Sequence, residues 1–387
     1  MCDRRAALAA LLAPTTALLA PTALLALVAL PALAEPATVQ AQPLDLPFRV
    51  TAMRGPGSEV ALAVATSGLL PVARAGAGAD PKRGSKADEG PRPVVVVWGE
   101  GGGAVIDLDG ERLRTTLVGS EAIEGFAAAE TPRGAVPGSR MAQDGPLRAY
   151  LTGPTRALGG APGRETIHAA GLTIRERQPI GVTAEPKAVP VATATLTPGP
   201  DQVFAGRAPR IATLDGRPAV IAVTVQGPAE SSLVVAAKEK DAGWSLTART
   251  PPQAGSAPLS VAGIAAFSGA GSEIAAVRTT EGGGELQLWR PSGSTLTQAG
   301  AWSGYAGPDA GEAASLAAVL PGEPASLVLP LAGRNALAVL SLKGGALVER
   351  LRIPLPAPAA HGVAALSPQK VLVGLADGRL AAATVAP

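Results

Sequence analysis

Asp107, Asp109 and Glu111 alternate along one short stretch. Carboxylates so spaced can converge on a hard cation such as calcium, which takes six to eight oxygen ligands. No further acid follows, so an ordinary hairpin turn at Asp109-Gly110 is the expected structure. Just upstream, Gly99-x-Gly101-x-x-Ala104 follows an apolar run, as in a dinucleotide-binding fingerprint. That fingerprint works only where a helix begins, so that its terminal amides meet a pyrophosphate. Here Ala104-Val-Ile-Asp-Leu-Asp-Gly-Glu-Arg-Leu follows, which reads as strand, Asp-Gly turn, strand.

The remaining chemistry-bearing residues are few. The two histidines are His168 and His361, and the one cysteine is Cys2, too few for a zinc site of three or four ligands. There is no G-x-S-x-G elbow and no phosphate-binding G-x-x-x-x-G-K-[ST] loop. Glu281, Glu285 and Asp309 fall near expected loops, where a glycosidase pair could sit, but nothing selects two of them. Trp98, Trp244, Trp289 and Trp302 could stack against a sugar. The setting of Trp289 inside Leu-Gln-Leu-Trp-Arg favours packing between sheets instead. No catalytic residue, cofactor-binding residue or metal ligand is assigned, and no cofactor is expected.

The elements that would carry such residues repeat. Pro209–Val223 reads as a short strand, a tight Asp215-Gly216 turn and a more apolar strand. Ile211 has counterparts at Ile264, Leu316 and Val363, spaced by 53, 52 and 47 residues. Second strands are expected at Glu273–Arg278, Ala325–Pro330 and Lys370–Gly374. Third strands are expected at Ser232–Ala237, Glu285–Arg290, Ala336–Leu342 and Arg379–Val385. Fourth strands follow at Trp244–Thr250, Thr295–Ala301 and Ala346–Ile353. Four short strands in about 50 residues is the period of a propeller blade. One blade cannot bury both its faces, so blades must stack on one another. The fold class expected is all-β, a β-propeller of about seven four-stranded blades. Phe48–Met53 and Val60–Ala65 read as its first strands, with Phe48–Met53 pairing into the last blade to remove an exposed edge.

Pro-Arg-Ile-Ala-Thr-Leu-Asp-Gly at 209–216, Gly-Ile-Ala-Ala-Phe-Ser-Gly-Ala-Gly-Ser-Glu-Ile-Ala at 263–275 and Val-Gly-Leu-Ala-Asp-Gly-Arg-Leu at 373–380 resemble the VCBS, or FG-GAP-like, repeats of exported bacterial β-propellers. The resemblance implies calcium loops of the form Asp-x-Asp-Gly-Asp-Gly with a following Glu. This chain keeps only Asp215 in the first unit and Glu273 in the second, so the loops are expected to be metal-free turns.

Residues 1–34 read as a signal peptide: Arg4 and Arg5, an apolar run from Ala6 to Leu30, and Ala32-Leu33-Ala34 before Glu35. Residues 35–47 read as a linker, 48–387 as the propeller, and 73–93 as a mobile polar loop within it. Without the leader the chain holds 31 basic and 30 acidic residues. That balance gives no electrostatic case for nucleic acid. Stable membrane insertion after cleavage is not expected, and a monomer is. Periplasmic or secreted location follows from the leader. The functional expectation is a non-catalytic binding or scaffold module of the cell envelope, with an unidentified protein or carbohydrate partner. The rivals are a carbohydrate-active enzyme and an envelope-assembly scaffold.

Overall fold

The computed structural model describes residues 39–68, 92–158, 167–179, 188–227, 229–239, 243–309, 311–312 and 314–385. The expected signal peptide and nearly all of the 73–93 loop lie outside them. Among the described residues there are twenty-six strands and two short helices, an all-β chain.

The strands form six successive four-stranded antiparallel units. The first joins Ala52–Arg54, Val95–Gly99, Gly102–Asp109 and Arg112–Val118. The second joins Ala142–Asp144, Leu147–Thr155, His168–Arg177 and Val191–Leu196. Arg210–Leu214, Arg217–Gln226, Glu230–Glu239 and Gly243–Arg249 make the third. Ser260–Ala265, Glu273–Thr280, Gly283–Ser292 and Thr295–Ser303 make the fourth. The fifth holds Ala318–Leu320, Ser326–Pro330, Ala336–Lys343 and Ala346–Pro354. The sixth takes Ala359–Ser367, Lys370–Leu375 and Leu380–Thr384 from the C-terminal end, and Gln42–Leu44 as its fourth strand. Short pairings through Val203–Phe204, and one parallel pair between Arg249 and Thr295, fuse units two to four into one curled sheet.

Three expectations are corrected. Among the described residues there are six four-stranded units where about seven blades were expected. Dividing chain length by a repeat length counted residues that lie in helices and long connections. Next, Val60–Ala65 is not a strand but most of the helix Glu59–Thr66, capped by Ser58, whose Oγ accepts from Ala61 N at 3.2 Å. A six-residue apolar run carries no period that separates strand from helix, and the N-cap serine was the available signal. Finally, the strand joining the chain ends is Gln42–Leu44, inside the segment read as linker. It pairs with Leu380–Ala382, whereas Ala52–Arg54 pairs with Val96–Trp98 of the first unit.

The core follows from the sequence of each strand. Val95–Gly99 and Glu273–Val277 are buried throughout, because a strand in the middle of a stacked unit is covered on both faces and so reads as a continuous apolar run. Outer strands such as Arg112–Val118 alternate instead. Buried side chains form shared clusters between units two and three, three and four, four and five, five and six, and six and one. The other face of the first unit is covered by the two helices. Val60, Ala61, Val64 and Ile123 pack there on Val94, Val96 and Val105. Each fully buried Val or Ile stabilises by about 1.5–3 kcal/mol relative to exposure. Gly103 makes the docking possible: a Cβ there would stand 2.2 Å from Ile123 Cδ1.

The turns are legible residue by residue. Asp215 and Gly216 both have positive φ, 50° and 73°, as the type I′ hairpin between two short strands requires. Gly102 opens a strand rather than a helix, which removes the dinucleotide reading. Both carboxylate oxygens of Asp107 accept from Arg114 on the facing strand. At Glu273, Oε1 accepts from Arg290 Nε at 2.6 Å and from Ser268 Oγ at 2.9 Å, and Oε2 accepts from Ser268 N at 2.8 Å. A guanidinium thus neutralises the one acid that the second repeat retains.

Since Gln42–Leu44 covers the edge of the last unit, deleting residues 39–45 should lower the melting midpoint by about 5 °C or more. Deletion without effect, read by circular dichroism, would show that this pairing adds no stability.

Candidate functional site

Four arginines from three units point to one region. Arg54 ends the first strand of unit one, and Arg140 lies two residues ahead of unit two. Arg210 opens the first strand of unit three, with Arg207 three residues before it. Arg140, Arg207 and Arg210 line a cavity of about 540 Å³, part of it open to solvent, together with Ser260, Glu312 and Ser315. Its walls are therefore the first strands, or the lead-ins to them, of units two to five.

Arg54, Arg210 and Arg207 are fixed by different devices. Arg54 Nε donates to Glu130 Oε2 at 2.7 Å and Nη1 to the Met53 carbonyl at 3.0 Å. Its guanidinium carbon stands 5.0 Å from the Trp98 ring centre, a cation–π contact. Arg210 Nη2 donates to Ser315 Oγ at 3.0 Å, from unit three to the lead-in of unit five. Arg207 donates to the carbonyls of Glu312, Pro308 and Asp309 at 3.2–3.4 Å. Its Nε is buried with no hydrogen-bond partner among the described residues.

Burial lowers the pKa of Arg140, Arg207 and Arg210. Arg140 falls to about 9. After burial, the nearby charges of Arg54 and Arg210 drive it down, and Glu130 only partly opposes them. A guanidinium with that value is still charged at neutral pH. The shift measures how unfavourable its surroundings are for a cation. All three residues are only half-buried by accessible surface. Deep enclosure with residual accessibility is what an internal cavity produces.

The acids beside Arg207 are already engaged. Arg334 Nη1 and Nη2 donate to Glu312 Oε1 and Oε2, both at 3.1 Å, and Nη2 also reaches Asp309 Oδ2 at 3.0 Å. Arg334 has φ 61° in the turn between Leu331 and Ala336, an uncommon conformation for a residue with a side chain. Burial would raise the Glu312 pKa, but the bonds from Arg334 and the Asp309 amide, with the charges of Arg334 and Arg207, hold it below the usual range.

Sequence reasoning assigned no site residue and named none of these arginines as functional. Of the acids it weighed, Asp309 lies at the cavity's edge. Glu285 pairs with Arg278 at 3.1 Å elsewhere, and Glu281 is exposed in a turn. His168 is buried at the start of its strand, away from the cavity lining. Trp289 is buried between units three and four, as its strand setting implied. A usable signal existed in Gly206-Arg-Ala-Pro-Arg210, where two arginines directly precede an inner strand.

No protein-family model and no curated protein matches this chain. Among solved structures, a Bacteroides fragilis protein described as a "putative 6-phosphogluconolactonase" aligns over 68% of this chain and 82% of its own, at 11% identity and a TM-score of 0.35. The expectation of a non-catalytic binding or scaffold module of the envelope is corrected here. The finding that departs from it is the neighbour's description as an enzyme. So distant a likeness transfers no activity to this chain.

Glu312 has a depressed folded pKa, so its pairing stabilises above the unfolded value of about 4.3 and is lost as pH falls through the folded one. Arg334→Met should therefore melt several degrees below the wild type at pH 7, with the gap closing below about pH 4. A gap that stays constant down to pH 3 would show that Arg334 acts by packing alone.

Proposed function

We propose that the chain is a six-bladed β-propeller, joined end to end by Gln42–Leu44, whose axial cavity holds a small organic anion through Arg140, Arg207 and Arg210. The observation that carries the site is the gathering of three guanidiniums, from units two and three, in the lining of one cavity. Support for the ring comes from the clusters that link units two to six in succession and unit six to unit one, and from the two helices packed on the other face of the first unit. The resemblance to VCBS-type repeats agrees with a blade reading. Guanidinium is the group best shaped to grip carboxylate or phosphate.

The physical logic is differential. Without ligand, the arginines repel one another in a partly desolvated space. An anion between them removes that penalty and supplies charge-assisted hydrogen bonds, including one for the orphaned Arg207 Nε. The same arrangement would hold the acidic group of a substrate, leaving the rest of the molecule facing Glu312 and Ser315.

Thermal melting in inorganic phosphate, against sodium chloride at equal ionic strength, tests this. A ligand at a hundredfold excess over Kd stabilises by about 2.7 kcal/mol, which is several degrees for a chain of this size. Arg210→Met should match or exceed the wild-type midpoint without phosphate and lose most of the phosphate-induced rise. An equal rise in both proteins would place anion binding elsewhere.

A further inference from the structure

Resting on the anion-site reading, we infer that the ligand is a hydroxylated acid rather than a simple anion. The cavity is not uniformly basic. Arg140, Arg207 and Arg210 bring donors from units two and three, while Glu312 sits in the same lining and brings an ionised carboxylate. A molecule carrying only negative charge would meet this carboxylate as well as the guanidiniums beside it.

The carboxylate has capacity left. Glu312 Oε2 accepts from Arg334 Nη2 at 3.1 Å and from Asp309 N at 2.7 Å. Among the described residues, Oε1 accepts one hydrogen bond, from Arg334 Nη1 at 3.1 Å. An ionised carboxyl oxygen has room for about two acceptor bonds. The open position calls for a ligand donor, and a hydroxyl supplies one without adding charge. Ser260 and Ser315 add hydroxyls to the same lining, each able to donate or accept. Arg334 keeps Glu312 ionised and fixed in direction, so it acts as a positioning residue.

A site built to bond a ligand hydroxyl rejects the analogue that lacks it, because its own polar group is then left unpaired. Tartrate and succinate form the matched pair: same backbone length, same charge, two hydroxyls of difference. Isothermal titration calorimetry on the full chain should show tartrate binding at least about tenfold more tightly than succinate. In Glu312→Gln, the ratio should fall below about threefold while succinate binds as well as before or better, because the repelling charge is gone. Equal affinity of the two acids for the wild type, or a ratio unchanged in Glu312→Gln, would overturn the hydroxyl reading while leaving the anion site standing. Binding of neither acid nor phosphate would remove the anion site and this inference together.

Discussion

Like charges gathered in a partly desolvated space repel, and the rest of this structure is what holds them there. The charges of Arg54 and Arg210 disfavour the cation at Arg140. Nothing in the arginines themselves keeps them together. The apolar clusters between successive units do so, by fixing each unit's first strand relative to the next. Buried Val, Leu and Ala thus supply the stability that a charged cavity spends. Proteins commonly concentrate such unfavourable arrangements where a ligand is to be met.

The supports of the cavity differ in kind, and the difference is informative. Arg54 is clamped by a carboxylate, a carbonyl and an indole face, so its position is fixed before any ligand arrives. Arg207 spends its terminal nitrogens on backbone carbonyls and keeps a buried Nε unmatched. Arg210 has a neutral hydroxyl as its recorded partner. Neutral partners orient a guanidinium without neutralising it, which preserves the field in the cavity. Beside Arg207, Glu312 is paired with Arg334, a residue whose own backbone sits in the left-handed region.

Much of the strand framework was legible in the sequence, for a simple reason. Runs such as Val94–Val97 and Ala219–Val223, bounded by Gly or Asp-Gly, have few alternatives to β-structure. The Asp215-Gly216 turn and the burial of Trp289 could be read directly. The helix Glu59–Thr66 could not, since Val60–Ala65 has no distinguishing period. The strand Gln42–Leu44 was invisible for the opposite reason: Gln-Pro-Leu has no apolar signature, and Pro43 is tolerated because the strand lies at the sheet's edge. The arginine cluster escaped because its members come from three separate segments and the near-neutral total charge conceals local excess. Only the placement of Arg207 and Arg210 just ahead of an inner strand offered a hint.

The central claim is that an anion belongs among Arg140, Arg207 and Arg210. The most direct measurement is a crystal structure of the chain grown with selenate, whose selenium scatters anomalously. The account predicts a strong anomalous peak in the cavity, within hydrogen-bonding distance of at least two of these guanidiniums. Selenate found only at exposed surface arginines, with the cavity empty, would contradict it.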